Sequence, residues 1–466
     1  MTRFHVQVGW MLAVVLFPAA AVAQTTTPSF TKDIAPIMYS RCATCHRPGE
    51  VAPMSLMSYT EVRPWVRAIK AKVVSRQMPP WHAEGEVGKW HNDRRLTQAE
   101  IDTIAAWVDA GAPRGDDSSL PPPPQFAAGW NHPSGRPPDL IIEAPELKVP
   151  ADGETPWQNV YVKLPFQGDV WVEGAQVLPG QRGVVHHIVV TSTTLPADAT
   201  IDDEGRLTLP SGDGARRQRT GAVGNIPGGF GSFSAAWEPG VDVANSFGPE
   251  IGERISGTHL VFNIHYQVNG RATTDKSRVG LWLQRNPVKY SATGPGVGVG
   301  SETFIFNGRE LAGRYSAQVT QDILPPGTQT VPNIPAYDGN FRLTQIFPIR
   351  QDMELFSIQP HMHVRGRSIR YTAVFPDGRE EELLNVPHYD FNWQIVYQYA
   401  KRVRLPAGTT IRVDATWDNS TKNRYNPSPE KEVLWGEQSW DEMLSPTLRG
   451  VVRLESPVTP TLPSTF

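Results

Sequence analysis

The sequence predicts a multidomain protein in which a small α-helical domain precedes two mainly-β, jelly-roll-like sandwich domains. Three observations support this fold class. Apolar residues recur at helical spacing as far as Ala112, a proline-rich stretch follows, and short runs broken by glycine and proline make up the remainder. With 466 residues, the chain is long enough for two or three domains.

The first 23 residues have the features of a secretory signal peptide. Gly9 to Ala23 is apolar, and Ala21-Val22-Ala23 forms a small-residue cleavage site before Gln24. A membrane anchor is the alternative, but the stretch is shorter than the roughly 20 residues that a spanning helix needs. We therefore expect a periplasmic or secreted protein with no membrane span after signal cleavage.

Residues 24–120 are expected to form the helical domain. Thr97-Gln98-Ala99-Glu100 resembles a capping box that opens a helix from Ile101 to Ala110. The apolar stripe of an earlier helix consists of Val62, Val66, Ile69 and Val73. Pro121 to Pro124 begin a stiff, extended linker that we place at residues 121–138.

The two β-sandwiches are predicted at residues 139–290 and 291–458. Val170 to Val177 and Val184 to Val190 are examples of the predicted strands, and Thr410 to Trp417, with its alternating apolar residues, is the clearest. Thr191 to Gly248 is rich in glycine, aspartate and serine and is predicted to be a long loop region. Gly294 to Gly300, which contains only Gly, Pro and Val, indicates the boundary between the sandwiches.

The helical domain contains a motif for covalent haem attachment, Cys42-Ala43-Thr44-Cys45-His46. The alternatives are a thioredoxin-like redox pair and half of a zinc site. No second cysteine pair exists for zinc, and the surrounding pattern is helical. Since these are the only two cysteines, the protein is expected to be free of disulfides. The motif predicts a cytochrome c-like domain with haem c bound to Cys42 and Cys45.

His46 is the predicted proximal ligand of the haem iron, and Met78 is the favoured distal ligand. Met78 lies in a proline-rich loop that can hold a thioether rigidly, and Met/His ligation raises the reduction potential. Met54 and Met57 are the other methionine candidates, and packing in the haem pocket is their simpler role. The remaining candidates are His82 and His91.

Two groups among the 12 histidines lie at close spacing in β-rich segments. Alternate side chains of a strand share a face, so His361 and His363 are predicted to converge. His265 falls on the face opposite the apolar residues of Thr258 to Val268. Adjacent His186 and His187 point to opposite faces of a regular strand, so they share a metal only at a bulge or strand end. Each histidine could instead be structural.

Taken in order, His186-His187, His265-Tyr266, His361-Met362-His363 and Asp441-Glu442-Met443 resemble the type II copper, ascorbate-dependent monooxygenases. This family includes peptidylglycine α-hydroxylating monooxygenase and dopamine β-monooxygenase. The resemblance covers roughly residues 139–457 and includes Asp390-Phe391-Asn392-Trp393-Gln394.

The resemblance implies two copper ions, each on its own β-sandwich, facing one another across a solvent-filled cleft. His186, His187 and His265 are implied to bind the electron-transfer copper. His361, His363 and Met443 are implied to bind the copper that activates dioxygen. Imidazole is a suitable ligand for both oxidation states of copper. Three histidines alone could instead hold zinc. The alternative role of Met443 is to fill space in the hydrophobic core.

The sequence also departs from the family. The peptide-amidating enzyme has an arginine for the substrate carboxylate two residues before His-x-His, where this chain has Gln359. Ser445 and Thr447 replace an asparagine and a tyrosine after the methionine ligand. A peptide C-terminus is therefore not the expected substrate.

The expected function is a copper-dependent monooxygenase that hydroxylates a C–H bond of an unidentified small molecule with O2. The haem domain would pass electrons to the copper, from an external periplasmic donor. The net charge of −3 gives no indication of nucleic-acid binding. The alternatives are a non-catalytic copper-binding or electron-transfer protein and a β-sandwich binding protein with structural histidines.

Overall fold

A computed structural model describes most of the chain. The described residues are 27–86, 88–127, 129–153, 155–209, 233–241, 243–292, 303–311, 331–436 and 438–463. The predicted signal peptide and Gly294 to Gly300 lie outside them. No helix in these ranges is long and apolar enough to cross a membrane.

The described helices all lie between residues 30 and 119. They are Phe30–Ile34, Ala35–Ile37, Met38–Cys42, Tyr59–Val62, Arg63–Trp65, Val66–Val74, Gln98–Asp109 and Asp117–Ser119. They enclose a separate hydrophobic core around Ile34, Ile104 and Trp107. The capping box is confirmed, because Thr97 Oγ1 accepts from Glu100 N and Glu100 Oε2 accepts from Thr97 N. The helix begins three residues earlier than predicted.

The rest of the described chain is mainly β, as predicted. Its strands are β1 (Leu140–Glu143), β2 (Leu147–Val149), β3 (Gln158–Lys163), β4 (Val170–Leu178), β5 (Val185–Thr193), β6 (Thr200–Ile201), β7 (Leu207–Thr208), β8 (Ser234–Trp237), β9 (Asn245–Ser246), β10 (Ile251–Ile255), β11 (His259–Tyr266), β12 (Thr273–Asp275), β13 (Arg278–Leu283), β14 (Val288–Ala292), β15 (Thr303–Phe306), β16 (Arg309–Leu311), β17 (Phe341–Pro348), β18 (Met353–Gln359), β19 (Gly366–Val374), β20 (Glu380–Val386), β21 (Tyr397–Leu405), β22 (Thr410–Trp417) and β23 (Thr447–Val458).

These strands form two layered units that share one continuous sheet. Among the described residues, this sheet has nine strands in the order β1-β13-β4-β10-β14-β23-β18-β21, with β9 beside β4. A four-stranded sheet, β3-β11-β5-β8, packs on its first half, and a six-stranded sheet, β16-β15-β17-β22-β19-β20, packs on its second half. β14 spans the predicted domain boundary at 290/291.

The prediction of one long loop from Thr191 to Gly248 was wrong. β5 continues to Thr193, and β6, β7, β8 and β9 are four short strands within the region. β8 pairs with β5 and carries the buried Trp237, so it belongs to the first sandwich. The apolar run of β8 is short, and the polar and glycine-rich sequence around it led to the prediction of a loop.

Residues 81–86 and 88–92 lie between the helices Val66–Val74 and Gln98–Asp109 and pack against the second sandwich. Trp81 and Trp90 are buried in the hydrophobic core of the second sandwich, where both rings contact Tyr397 at centroid distances of 5.0 and 5.4 Å. The backbone N–H of His91 also donates to the carbonyl oxygen of Gln398, in the second sandwich, at 2.7 Å. This segment therefore fixes the helical part against the β-sandwiches.

Candidate metal centres

A β-bulge brings the first three histidines together. His265 of β11 pairs with His187 of β5, but the next residue, Tyr266, pairs with Val185, so His186 is the extra residue. The bulge that adjacent histidines need in order to face one site is therefore present. The Nδ1 atom of His186 lies 3.1 Å from that of His187 and 3.2 Å from that of His265.

The hydrogen bonds of this cluster leave nitrogen lone pairs available for a metal ion. His186 Nε2 lies 3.1 Å from the carbonyl oxygen of Asn392, which can only accept, so Nε2 carries the proton and Nδ1 the lone pair. Bonds of about 2.0–2.1 Å, typical of metal–imidazole ligation, place two ligand nitrogens about 2.9–3.4 Å apart. Burial lowers the pKa of His265 to about 3, which keeps the ring neutral. One ring nitrogen from each of the three histidines lies within 4.8 Å of the other two, so the set fits one metal ion.

The second histidine pair was predicted on a strand, and this part of the prediction was wrong. β18 ends at Gln359, and His361 and His363 lie in the loop that follows it. Their rings still converge, with centroids 5.1 Å apart. Between them, Met362 is fully buried in the core, and the Tyr389 hydroxyl donates to its carbonyl and accepts from its N–H. Hydrogen bonds to the distant Tyr389 side chain therefore fix this loop, in place of pairing with a neighbouring strand.

Hydrogen bonds also select one nitrogen on each ring of this second pair. His361 Nδ1 donates to Gln394 Oε1 at 2.5 Å, and His363 Nδ1 donates to the Asp441 carbonyl at 3.3 Å. Each Nε2 is therefore left with its lone pair. His363 Nε2 is fully buried, and no described residue forms a hydrogen bond with it. A buried acceptor left in this way fits a metal ligand.

Met443 is tied to this pair by a buried carboxylate, that of Glu442. Glu442 Oε2 accepts from the backbone N–H groups of His363 at 3.0 Å and Met443 at 3.2 Å. It also accepts from Trp417 Nε1 at 2.9 Å, while Oε1 accepts from Arg365 N at 2.7 Å. Burial raises the pKa of Glu442 to about 7. The thioether-bearing segment and the His361–His363 loop are thus held by one side chain.

The two histidine sets are bridged by aromatic rings, in contrast to the expected solvent-filled cleft. Trp157 contacts His265 of the first set and His363 of the second. Phe391 contacts the same two rings, at centroid distances of 5.9 and 6.0 Å. The sandwiches therefore meet closely at this point.

The Cys42–His46 motif lies on the wall of a cavity of about 1150 Å³. Cys45, Met78 and the runners-up His82 and His91 line the same cavity, and so do His186 and His187 from the first histidine set. Met54 instead packs against the helical core, and the carbonyl of Met57 accepts from Tyr39.

A hydrogen bond to one ring nitrogen of His46 leaves the other nitrogen free. Its Nδ1 donates to the Met54 carbonyl at 3.1 Å, which leaves Nε2 with its lone pair. Burial lowers the pKa of His46, which favours the neutral ring. Burial also raises the pKa of the Cys42 thiol to about 12, which makes a free reactive thiolate unfavourable there.

Sequence reasoning assigned no role to Trp157, Glu442 or Gln394. Glu442 and Gln394 fall within the motifs that carry the family resemblance, so the sequence already placed them close to predicted ligands. Trp157 had no such signal, because only the pairing of β3 with β11 places it beside His265.

Comparison with solved structures gives weak similarities. An allantoicase from Saccharomyces cerevisiae is 9% identical over 59% of this chain and 80% of its own, with a TM-score of 0.14. Tandem CBM22 domains of Paenibacillus barcinonensis Xyn10C are 8% identical over 63% of this chain and 82% of their own, with a TM-score of 0.16. These scores are too low to support an inference.

Comparison with protein families gives a specific match. Residues 321–444 match the C-terminal domain of the copper type II ascorbate-dependent monooxygenases. This range contains His361, His363 and Met443, while His186, His187 and His265 lie outside it. The family match supports copper as the cofactor and a copper-dependent monooxygenase kind of function, and it is this family that the C-terminal part of the chain resembles.

Proposed function

We propose that the protein is a periplasmic copper monooxygenase that hydroxylates a C–H bond of a small molecule with O2. The observation that carries the proposal is the pair of histidine sets, in which hydrogen bonds leave the Nδ1 lone pair of His186 and the Nε2 lone pairs of His361 and His363 free. Neutral rings with free lone pairs are the form that binds metal.

His361, His363 and Met443 would hold the copper at which O2 reacts. The thioether favours Cu(I), the state that must meet O2. When bound, copper supplies the chemistry that places one oxygen atom in the substrate and releases the other as water, with two external electrons. Gln394 fixes the orientation of His361, and Glu442 fixes the backbone of His363 and Met443.

His186, His187 and His265 would hold the second copper, which receives electrons. The cavity that His186 and His187 line together with Cys42 and Met78 supports our proposal of electron supply through a fused c-type haem. Cys42 and Cys45 would attach the haem covalently, His46 would ligate its iron through Nε2, and Met78 would be the second iron ligand. Haem is oxidised and reduced one electron at a time, so this donor suits a one-electron copper centre.

The partners we propose are O2, a small-molecule substrate and a periplasmic electron donor, with no nucleic acid. Gln359 is the cavity-lining residue at the position where the amidating enzyme has arginine. Arg449, which lines the same cavity, is paired with Glu253. Because position 359 carries a neutral amide in place of arginine, we propose a substrate that does not depend on a carboxylate for recognition there.

Metal and haem quantification, followed by anaerobic reduction and O2 exposure, tests this function. The proposal expects two coppers and one covalent haem per chain, with reduced haem rapidly reoxidised by O2. His265→Ala should stall reoxidation and leave the haem spectrum unchanged. Two coppers that remain reduced in O2 would instead favour a non-catalytic copper-binding or electron-transfer protein, and zinc in place of copper would contradict both functions.

A further inference from the structure

Trp157 occupies a position that strand pairing fixes beside the first histidine set. Gln158 is paired with Ile264, so the preceding residue, Trp157, lies opposite His265 across β3 and β11. The indole stacks on His265 with an interplanar angle of 19° and a centroid distance of 5.2 Å. Its edge contact with His187 is shorter, at 4.8 Å.

The same indole also reaches the second histidine set. Its centroid lies 5.9 Å from that of His361 and 6.0 Å from that of His363. Trp157 Nε1 donates to Ser439 Oγ at 3.2 Å, in the segment that leads to Met443. The ring is therefore anchored in one sandwich by strand pairing and to the other by a hydrogen bond.

Other roles for Trp157 fit the contacts less well. Trp157 is not among the residues that line the large cavity, so it does not form a wall for a molecule bound there. Phe391 also touches both sets, but its ring is tilted by 37° and 51° to His186 and His265. Among described residues, Trp157 is the ring that stacks nearly parallel on a histidine of one set and contacts both histidines of the other.

We propose that Trp157 is the electron path between the two metal centres. This inference rests on the proposed function. One electron passes from Cu(I) held by the His265 set to Cu(II) held by the His361 set, so the first ion becomes Cu(II) and the second Cu(I). Trp157 begins and ends neutral and exchanges no proton, and its Nε1–H remains bonded to Ser439. The electron therefore passes through aromatic ring contacts and not through solvent.

The test compares Trp157→Leu, which removes the ring, with Trp157→Phe, which keeps an aromatic contact. Trp440→Leu is the matched control, because Trp440 lies beside Ser439 but is 43% exposed. The haem- and copper-loaded protein is used throughout. Anaerobic electron transfer from reduced haem to copper is followed first, by haem absorbance and the copper EPR signal. The fully reduced protein is then mixed with O2, and haem reoxidation is timed.

Trp157→Leu should retain two coppers and a normal anaerobic step, yet slow reoxidation by at least about tenfold, equal to about 1.4 kcal/mol in the barrier. Trp157→Phe should slow it less, and Trp440→Leu should match the wild type. Unchanged reoxidation in a copper-loaded Trp157→Leu protein would overturn the proposed path. Failure of the anaerobic step in the wild type would instead contradict the proposed haem supply.

Discussion

Replacing Glu442 with alanine should damage one metal centre selectively. Glu442 is fully buried, and its carboxylate accepts four N–H bonds, from His363, Arg365, Met443 and the Trp417 indole. The change removes both acceptor oxygens at once from a fully buried position. The loop that carries His363 and the segment that carries Met443 would lose their shared anchor.

The expected cost follows from those four bonds. Leaving a buried donor unsatisfied costs about 1–3 kcal/mol, so the loss of four should lower the free energy of unfolding by at least about 4 kcal/mol. That is a large share of the roughly 5–15 kcal/mol that stabilises a typical domain. Loss of the hydrogen bonds that hold the backbone of His363 and Met443 should also weaken copper binding at this centre by about 10–100-fold.

Urea unfolding and copper titration measure these two effects. Glu442→Gln, which keeps one acceptor oxygen, should lose less stability than Glu442→Ala. Glu354→Gln is the control, because Glu354 pairs with Arg402 on the surface and such pairs contribute only about 0–1 kcal/mol. If Glu442→Ala unfolds like the wild type and keeps both coppers at wild-type affinity, the anchoring role of Glu442 is wrong.

Three further predictions concern other parts of the molecule. His361→Ala/His363→Ala should lower the copper content from two ions to one, measured by metal analysis, and loss of both ions would contradict separate sites. Met78→Ala should lower the haem potential and change the reduced spectrum, whereas the same effect in Met54→Ala would show that the distal ligand is misassigned. Burial raises the pKa of Glu238 from 4.5 to about 7, so the folded protein holds a proton that the unfolded chain releases between these values. Glu238 should therefore lower the free energy of unfolding by about 3 kcal/mol as the pH rises through this window, and Glu238→Gln should lack this contribution and show a shallower fall. Urea titrations with parallel pH profiles for the two proteins would contradict this.

Local sequence patterns predicted the parts of the fold that depend on neighbouring residues. Strand β22 has the predicted bounds, Thr410–Trp417, because its alternation continues for the full length of a strand with one buried face. The phase of β11 was also correct, since Leu260, Phe262 and Ile264 are buried and His265 is on the other face. Such patterns report burial directly.

Features that depend on distant parts of the chain were not predictable in this way. Trp157 reaches His265 only through the register of two strands, and it reaches His363 only because the sandwiches meet. The sequence indicated that His186 and His187 need a bulge, but the bulge itself is defined by the pairing with β11. The His361–His363 loop is likewise fixed by contacts distant in sequence.

We propose that this chain holds two copper ions at two different ligand sets, one of which includes a thioether. Copper X-ray absorption on the reduced, copper-loaded protein tests this assignment. We expect two coppers per chain and sulfur scattering from about half of them, lost in Met443→Leu while the nitrogen scattering of the other site persists. Two coppers with no sulfur ligand, or a sulfur signal unchanged in Met443→Leu, would contradict the assignment of the second centre.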